Sequence, residues 1–218
     1  MTDIKNDDFQ YEGAHEANRD LGGSREGKKL LSSKIGETVL NKYEESVRLK
    51  NENIRDPLTG LYNRRFLETY IKDIKPDEPI TFFMIDVDNF KNINDKWGHP
   101  TGDKTLKSLA RLLQDKVQII GNGQTDVVVR WGGEEFVVLF RNFTDRKITQ
   151  ERAEQIRKAF ADSFIVEGGE KIKTTLSVGI AYRKPQETSD NLLKRADAAL
   201  YEAKRTGRNR IVISDEND

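Results

Sequence analysis

The sequence predicts an α/β fold of the α+β type, in which a central mixed β-sheet is flanked by helices. Apolar runs such as "PITFFMIDV" and "EFVVLF" are typical of strands in a sheet that is covered on both faces. Between these runs, Leu106, Leu109, Ala110 and Leu113 follow the i, i+3, i+4, i+7 spacing of a helix that buries one face. Strands that alternate with such helices indicate a sheet with helices packed on its faces.

Length and composition exclude several classes of function. The chain has 218 residues, which suits one domain with an extension. It carries 37 Lys and Arg against 37 Asp and Glu, so it has no net charge to attract nucleic acid or an anionic membrane. It has no cysteine, which excludes disulfides, thiolate zinc sites and cysteine nucleophiles. Since no apolar run approaches the roughly 20 residues of a membrane span and no signal-peptide pattern is present, we expect a cytoplasmic protein that binds neither nucleic acid nor membrane.

The N-terminal region predicts an extension rather than part of the core. Residues 1–35 are polar and without a sustained period, and we expect them to be disordered. Residues 36–55 predict a helical stalk, because Leu40, Val47 and Ile54 recur at intervals of seven. The stalk is either a short dimerising coiled coil or a lone helix that packs on the edge of the domain.

The next segments predict alternating elements. A turn in "DPLTGLYNRR" precedes a helix from Phe66 to about Lys75. The strand in "PITFFMIDVDNF" is followed by a short helix, by a loop at "GHPTGD" and by a longer helix that starts at Asp103.

The second half of the sequence predicts a hairpin, two helices and two further strands. Strands are expected at Val127–Trp131 and Phe136–Phe140, with Gly132 and Gly133 as a two-residue turn that needs positive φ. A helix over residues 149–164 and a strand in "TTLSVGIAY" follow. Thr188 or Ser189 is expected to cap a helix that stops near Gly207, before a last strand in "RIVIS". The apolar face of that helix comprises Leu192, Leu193, Ala196, Ala199, Leu200 and Ala203.

Three carboxylates lie at the ends of apolar strands. Asp86 ends one strand, and Glu134 and Glu135 lie beside the turn between two others. If these strands are neighbours, the carboxylates meet at one edge of the sheet, where repulsion raises their pKa values. A Mg²⁺ ion would relieve the repulsion and keep positions open for phosphate. The alternative is that these are ordinary solvated charges at a hairpin tip.

Other polar residues admit two interpretations each. Asp88 is either a metal ligand or, as the position before a short helix favours, a helix N-cap. Asp103 is either a cap or a ligand-binding residue. Lys204 and Arg208 lie at a helix C-terminus, where the helix dipole alone favours cations, but they could also bind a phosphate.

Together these motifs resemble the GGDEF-domain diguanylate cyclases, with the signature in its GGEEF form. The resemblance covers residues 56–214 and leaves 215–218 as a tail. It rests on "DPLTGLYNRR", "IDVDNFKNINDKWGHPTGD", "RWGGEEF", "SVGIA" and "ADAALYEAKRTGRNR", in the order of the family. It implies a palm-like sheet similar to those of nucleotide cyclases and polymerases, with an N-terminal helical extension. The implied reaction converts two GTP into cyclic di-GMP and two pyrophosphates across a homodimer.

The resemblance also implies roles for particular residues. Asp86 and Glu134 would bind Mg²⁺, or Mn²⁺ as a substitute, with the backbone carbonyl of Val87, while Glu135 would help to deprotonate the 3′-hydroxyl. The remaining implied contacts are to the nucleotide: the Gly132 and Gly133 backbone along GTP, Asn94 and Asp103 at guanine, and Lys91, Lys204 and Arg208 at the triphosphate.

One departure from the family pattern concerns product inhibition. Many members carry RxxD ahead of the signature as an inhibitory site for cyclic di-GMP. Asp126 matches its aspartate, but Gly123 stands in the place of its arginine, so we expect weak or no inhibition there unless Arg130 or Arg183 substitutes. The alternative function is a catalytically silent domain that binds GTP or cyclic di-GMP. The regulatory input, which could be the stalk or an unidentified partner protein, is not evident from the sequence.

Overall fold

A computed structural model describes residue 42 and residues 53–75, 77–117, 126–141 and 145–214. The chain divides into two units between Asn53 and Ile54, and the second unit contains the sheet and the candidate site. Of the predicted stalk, residues 42, 53 and 54 are helical, while its remaining positions up to 52, the arm 1–35, Gly123 and the tail lie outside the described residues. No helix among the described residues is long and apolar enough to cross a membrane.

Within the described residues a six-stranded sheet consists of β1 Tyr62–Asn63, β2 Ile80–Val87, β3 Val127–Gly132, β4 Glu135–Arg141, β7 Leu176–Tyr182 and β8 Ile211–Ile213. Their order across the sheet is β1-β3-β4-β2-β7-β8. The central pairs β3–β4, β4–β2 and β2–β7 are antiparallel, while the edge strands β1 and β8 pair in parallel with β3 and β7. A separate two-stranded sheet consists of β5 Ile165–Glu167 and β6 Glu170–Ile172.

Helices cover both faces of the six-stranded sheet. They are α1 Arg64–Tyr70, α2 Phe90–Trp97, α3 His99–Val117, α4 Arg146–Asp162 and α5 Ser189–Arg205. One core cluster joins α3 and α4 to the sheet, and the other joins α1 and α5 to it. The predicted fold class, a mixed sheet flanked by helices, is therefore confirmed.

Alternation along β2 connects the sequence pattern to the two cores. Phe83 and Ile85 belong to the cluster under α3 and α4, while Phe82 and Met84 belong to the cluster under α1 and α5. Because side chains of a strand point to opposite faces in turn, Asp86 follows Met84 onto the α1–α5 face. Every residue of β2 is buried, as the continuous apolar run predicted.

Gly179 of β7 allows α5 to lie close to the sheet. A Cβ at this position would overlap the backbone carbonyl of Ala196 and the backbone amide of Leu200. The predicted apolar face of α5 is buried there, with Leu193 partly buried. The close approach matters for function because α5 carries Lys204 at its C-terminal end.

Three predicted helix boundaries need correction. The helix expected from Phe66 begins at Arg64, because the Asn63 side chain accepts a hydrogen bond from the Phe66 amide at 3.0 Å, and it gives way to a 3-10 turn at Ile71. The predicted "GHPTGD" loop is wrong, since α3 starts at His99 directly after Gly98, whose φ is 81°. Pro100 suits the first helical turn, where its missing N–H group costs nothing. Asp103 therefore lies in the second turn of the helix and does not cap it.

The helix expected over 149–164 also begins earlier, at Arg146, because Asp145 accepts a hydrogen bond from the Ile148 amide at 3.0 Å. It ends at Asp162. The prediction for α5 is confirmed, with Thr188 as the capping residue.

The hairpin is confirmed, but its turn is shifted by one residue. Gly132 is the last residue of β3 and pairs with Glu135, so the two turn residues are Gly133 and Glu134. Positive φ is found at Gly133, at 47°, and not at Gly132. The register shifts between Arg130 and Gly132, and this irregularity accounts for the displaced turn.

Candidate active site

Strand pairing brings the predicted carboxylates together. Asp86 of β2 lies opposite Glu135 of β4 in the antiparallel register. Glu135 precedes Val137 and Leu139 by even steps, and both of these belong to the cluster under α1 and α5. The two carboxylates therefore share one face of the sheet, with Glu134 next to them in the turn.

A lysine from α5 reaches the same place. The Lys204 ammonium lies 2.7 Å from Oδ2 of Asp86, whose side chain is 6 % exposed. Burial, with repulsion from Glu134 and Glu135, raises the pKa of Asp86 to about 6 even though Lys204 acts in the opposite direction. Lys204 was predicted as a triphosphate contact, and the structure places it on a carboxylate at the centre of the site.

Glu135 is in a similar environment. Burial raises the pKa of Glu135 above its usual value, and the nearby negative charges of Asp197 and Glu134 act in the same direction. Lys204 and Arg64 partly offset the rise. A carboxylate whose pKa is shifted toward neutrality is a stronger base than an ordinary glutamate.

The glycine turn leaves backbone open beside these carboxylates. A Cβ added at Gly132 or at Gly133 would meet no atom within 4 Å. The carbonyl of Glu134 accepts a long hydrogen bond, 3.4 Å, from the amide of Val87 on β2. The turn is thus accessible to a ligand and lies directly against the end of the strand that carries Asp86.

A second group of predicted residues lies between α2 and α3. Asn94 packs against Gly102, where a Cβ would overlap the Asn94 side-chain oxygen. That oxygen is buried and has no hydrogen-bond partner among the described residues. Asp103, the next residue after Gly102, is exposed. Asn94 thus lies next to the helical turn that carries Asp103, and its side-chain oxygen offers an unused acceptor.

The described residues contain no group of three or more histidine, cysteine, aspartate or glutamate side chains arranged to hold a metal ion. The donors that remain near Asp86 are two carboxylates and a backbone carbonyl. An all-oxygen set of this kind fits Mg²⁺, which uses few protein ligands and completes its shell with water and phosphate. The predicted ligands Asp86, Glu134 and Val87 thus suit the ion in their chemistry.

Comparison with known proteins decides the family. A family model described as "Diguanylate cyclase, GGDEF domain" matches residues 53–210. The chain belongs to the GGDEF family.

Individual relatives agree with the family assignment. Diguanylate cyclase DosC of Escherichia coli K12 is 38 % identical over 182 residues, which cover 81 % of this chain but 38 % of that protein. The coiled coil and GGDEF domain of DgcB from Caulobacter crescentus was solved in complex with c-di-GMP and is 28 % identical to this chain, with a TM-score of 0.72. The match covers 87 % of this chain and 100 % of the DgcB chain. Diguanylate cyclase SiaD of Pseudomonas aeruginosa was solved in complex with its activator SiaC and is 34 % identical to this chain, with a TM-score of 0.67. The match covers 95 % of this chain and 80 % of the SiaD chain.

Asp88 is a buried residue of the domain, and the favoured prediction that it caps α2 is wrong. The N-cap position of α2 is Asn89, not Asp88. The Asp88 carboxylate is buried and accepts hydrogen bonds from Thr175 Oγ1 at 2.6 Å, from Ser177 Oγ at 2.7 Å and from the Asn209 amide at 3.0 Å. These three bonds connect Asp88 to β7 and to the loop after α5, and the metal-ligand alternative stays a prediction.

The loop that Asp88 holds carries another predicted residue. Arg208 is exposed and adopts positive φ, 60°, as does Asn209 at 47°. Lys91, on α2, is also exposed. Both cations are therefore accessible from solvent, which a triphosphate contact requires.

The predicted inhibitory-site residue Asp126 lies at the opposite end of β3 from the glycine turn. Burial raises its pKa to about 6, while a hydrogen bond from the Arg141 backbone amide acts in the opposite direction. Arg130 is committed elsewhere, to Asp56 and to the Gly133 carbonyl. Arg183 donates to the carbonyls of Lys75 and Glu78 and to Ser189.

A cavity of about 570 Å³ lies between α1 and the start of α5, and none of the predicted site residues lines it. We assign the site to the carboxylate edge instead, because the buried charges and the open glycine backbone converge there. Sequence reasoning missed two further residues near this edge: Asp197, whose charge acts on Glu135, and Arg130.

Proposed function

We propose that the chain is a diguanylate cyclase that condenses two GTP into cyclic di-GMP with release of two pyrophosphates. The observation that carries this proposal is the register that pairs Asp86 with Glu135 beside the open Gly132–Gly133 backbone. Asp86, which is buried, and Glu135, which is half-buried, both have a raised pKa, as is common for carboxylates at functional sites. The family of the chain supports the same reaction.

Asp86, Glu134 and the Val87 carbonyl would hold Mg²⁺, with Mn²⁺ as a substitute. When bound, the ion would align the attacking and leaving oxygens and offset the charge that develops on the phosphate. Crowded carboxylates favour such a cation because its charge removes their repulsion.

The protein's own groups then perform the remaining work. Glu135 accepts the proton of the 3′-hydroxyl, a role that its raised pKa supports. Lys204, Arg208 and Lys91 bind the triphosphate oxygens, and the Gly132–Gly133 backbone lies along the nucleotide. Each 3′-oxygen forms a bond to the α-phosphorus of the other GTP, and pyrophosphate leaves.

Guanine recognition is assigned to Asn94 and Asp103. Guanine presents N1–H and N2–H₂ donors, which a carboxylate and a carbonyl oxygen can accept. The buried, unpartnered oxygen of Asn94 supports this assignment, because a group in that state gains from a ligand donor. Adenine offers no donor at N1 and leaves the acceptors unmatched, at a cost of about 1–3 kcal/mol for each buried group.

Each domain holds one GTP, so the reaction needs two domains. We propose a homodimer that forms through residues 36–55 or transiently through the two sites facing each other. Regulation by a partner protein is a further possibility that fits the activator complex of SiaD.

The test is to incubate the full chain with GTP and Mg²⁺ and to measure cyclic di-GMP and pyrophosphate. We expect product with GTP, none after chelation of the metal, and little turnover of ATP. GTP binding without product would favour the silent binding module, and equal turnover of ATP would contradict the roles of Asn94 and Asp103.

A further inference from the structure

We propose that Arg130 is a positioning residue, which holds the Gly133–Glu134 turn in place by bonding it to Asp56. The inference rests on the proposed function, because the turn carries Glu134 and adjoins Glu135. It concerns a residue to which the reaction itself assigns no role.

Every nitrogen of the Arg130 guanidinium is used in this link. Nη1 lies 3.1 Å from each carboxylate oxygen of Asp56. Nε and Nη2 donate to the Gly133 carbonyl at 3.0 and 2.8 Å. The side chains of Arg130 and Asp56 are each 16 % exposed, so water competes little with the ion pair. A planar guanidinium fits two acceptors on two of its edges, which a lysine ammonium cannot reproduce.

Asp56 is itself fixed at the entrance to the domain. Its carboxylate accepts hydrogen bonds from the Thr59 amide at 2.9 Å and from the Thr59 hydroxyl at 2.7 Å. Its backbone closes the entry turn, since its amide donates to Leu61 and its carbonyl accepts from Gly60. Arg130 is therefore held by a rigid partner that lies two residues beyond Ile54, where the domain begins.

The turn at the other end has weak support of its own. Gly133 adopts positive φ, and no atom lies within 4 Å of the Cβ that either glycine lacks. Gly132 pairs with Glu135 across the turn, and Val87 donates a 3.4 Å hydrogen bond to the Glu134 carbonyl. Because a peptide unit is planar, fixing the Gly133 carbonyl also fixes the direction of the Glu134 amide. Loss of Arg130 would leave the turn with fewer contacts and would loosen the position of Glu134.

The first arm of the test needs no catalysis. Backbone hydrogen exchange is measured by mass spectrometry on peptides covering residues 131–137 in full-length Arg130→Ala and Asp56→Ala. We expect exchange in this segment to become at least about fivefold faster in Arg130→Ala, as for loss of a hydrogen bond. A smaller change of the same kind is expected in Asp56→Ala.

Arg195→Ala is the matched control. Arg195 also joins a carboxylate, that of Glu187, to a backbone carbonyl, that of Tyr182, and its side chain is 13 % exposed. Its loss should destabilise the protein without changing exchange in 131–137. If Arg130→Ala does not fold, Arg130→Lys replaces it, because it keeps the charge but cannot bond to both acceptors at once.

The second arm measures turnover. Arg130→Ala and Arg130→Lys should lower kcat by about tenfold or more while KM for GTP changes less than about threefold, because Asn94 and Asp103, the proposed guanine contacts, lie outside the turn, whereas Glu134 lies in it. Asp56→Ala should have no added effect when Arg130 is already alanine. Unchanged exchange in both Arg130 variants, or independent multiplicative effects of Asp56 and Arg130, would overturn the inference. Failure of the wild type to form product would overturn the proposed function instead, and the exchange arm would still decide the role of Arg130.

Discussion

Asp86 carries a charge that its surroundings disfavour. It is buried on a strand next to two glutamates, and the compensation that the protein itself provides is a single ammonium group, that of Lys204 at 2.7 Å. Sites that accept a divalent cation commonly combine burial and like charge in this way. In a strand with a purely structural role, a protein with an apolar residue at this position would be more stable.

The proposed role of Glu134, also at the scale of a residue, is to supply negative charge that holds Mg²⁺. We expect Glu134→Gln to lower cyclic di-GMP formation at least about 100-fold, or about 2.7 kcal/mol of transition-state stabilisation. The amide keeps the size of the side chain but not its charge. Initial rates at saturating GTP measure the effect, with exposed Glu170 changed to Gln as the control. Near-normal turnover in a folded Glu134→Gln protein would refute the role.

Asp126 gives a prediction for pH. Its pKa in the folded protein, about 6, lies above the ordinary value of 3.8, so ionisation opposes folding. The penalty is small near pH 4, close to the unfolded pKa of 3.8, and is nearly complete above about pH 6. Asp126→Asn should therefore gain much more stability over the wild type at pH 7.5 than at pH 4. The gain is at most about 3 kcal/mol, and solvent screening at this half-buried position reduces it.

Thermal unfolding of both proteins at the two pH values measures this difference. The same substitution at exposed Asp95 serves as the control for changes in net charge. A gain that is equal at both pH values would show that ionisation of Asp126 is not its cause.

At the scale of elements, the position of α5 depends on Gly179. Gly179→Ala should lower the free energy of unfolding by about 1–3 kcal/mol or more, because the added methyl group overlaps the α5 backbone. Gly132→Ala is the matched control, since it is also a strand glycine but has open space around it. Urea unfolding compares the two variants. Equal stability of Gly179→Ala and the wild type would show that α5 can move away at little cost.

The elements that the sequence predicted well are those with long apolar patterns. Strands β2, β3, β4 and β7 and helix α5 each carry enough buried residues to define a period. The β1 strand of two residues, and β5 and β6 of three residues each, are too short for any period and depend on their neighbours. The start of α3 was missed because Gly98 and Pro100 are also typical of loops.

In the candidate site too, the sequence predicted some features and missed others. Asp86, Glu134 and Glu135 could be expected to meet because they follow buried strands. The bonds of Asp88 to Asn209 and of Asp56 to Arg130 join residues 121 and 74 positions apart, and no local pattern indicates such partners. A polar contact of this kind becomes visible once the strand order is known.

For the whole molecule, the proposed reaction requires two domains. Specific activity should rise with protein concentration, because one domain supplies half of the reactants, unless residues 36–55 already form a tight dimer. In that case deletion of residues 1–50 should lower activity at dilute protein. Light scattering and rates over a wide concentration range provide the measurement, and a monomer with constant specific activity would contradict the homodimer.

The strand order also sets where the chain enters and leaves the domain. Arg55 forms a bridge with Tyr62 in β1 at one edge of the sheet, and the described chain ends after β8 at the other edge. Five inter-strand steps of about 4.8 Å separate these edges, or roughly 24 Å. A fluorescent label attached at Ser214, directly after β8, would therefore lie on the far side of the sheet from the entry strand. Such a label offers a way to follow assembly of two copies by energy transfer.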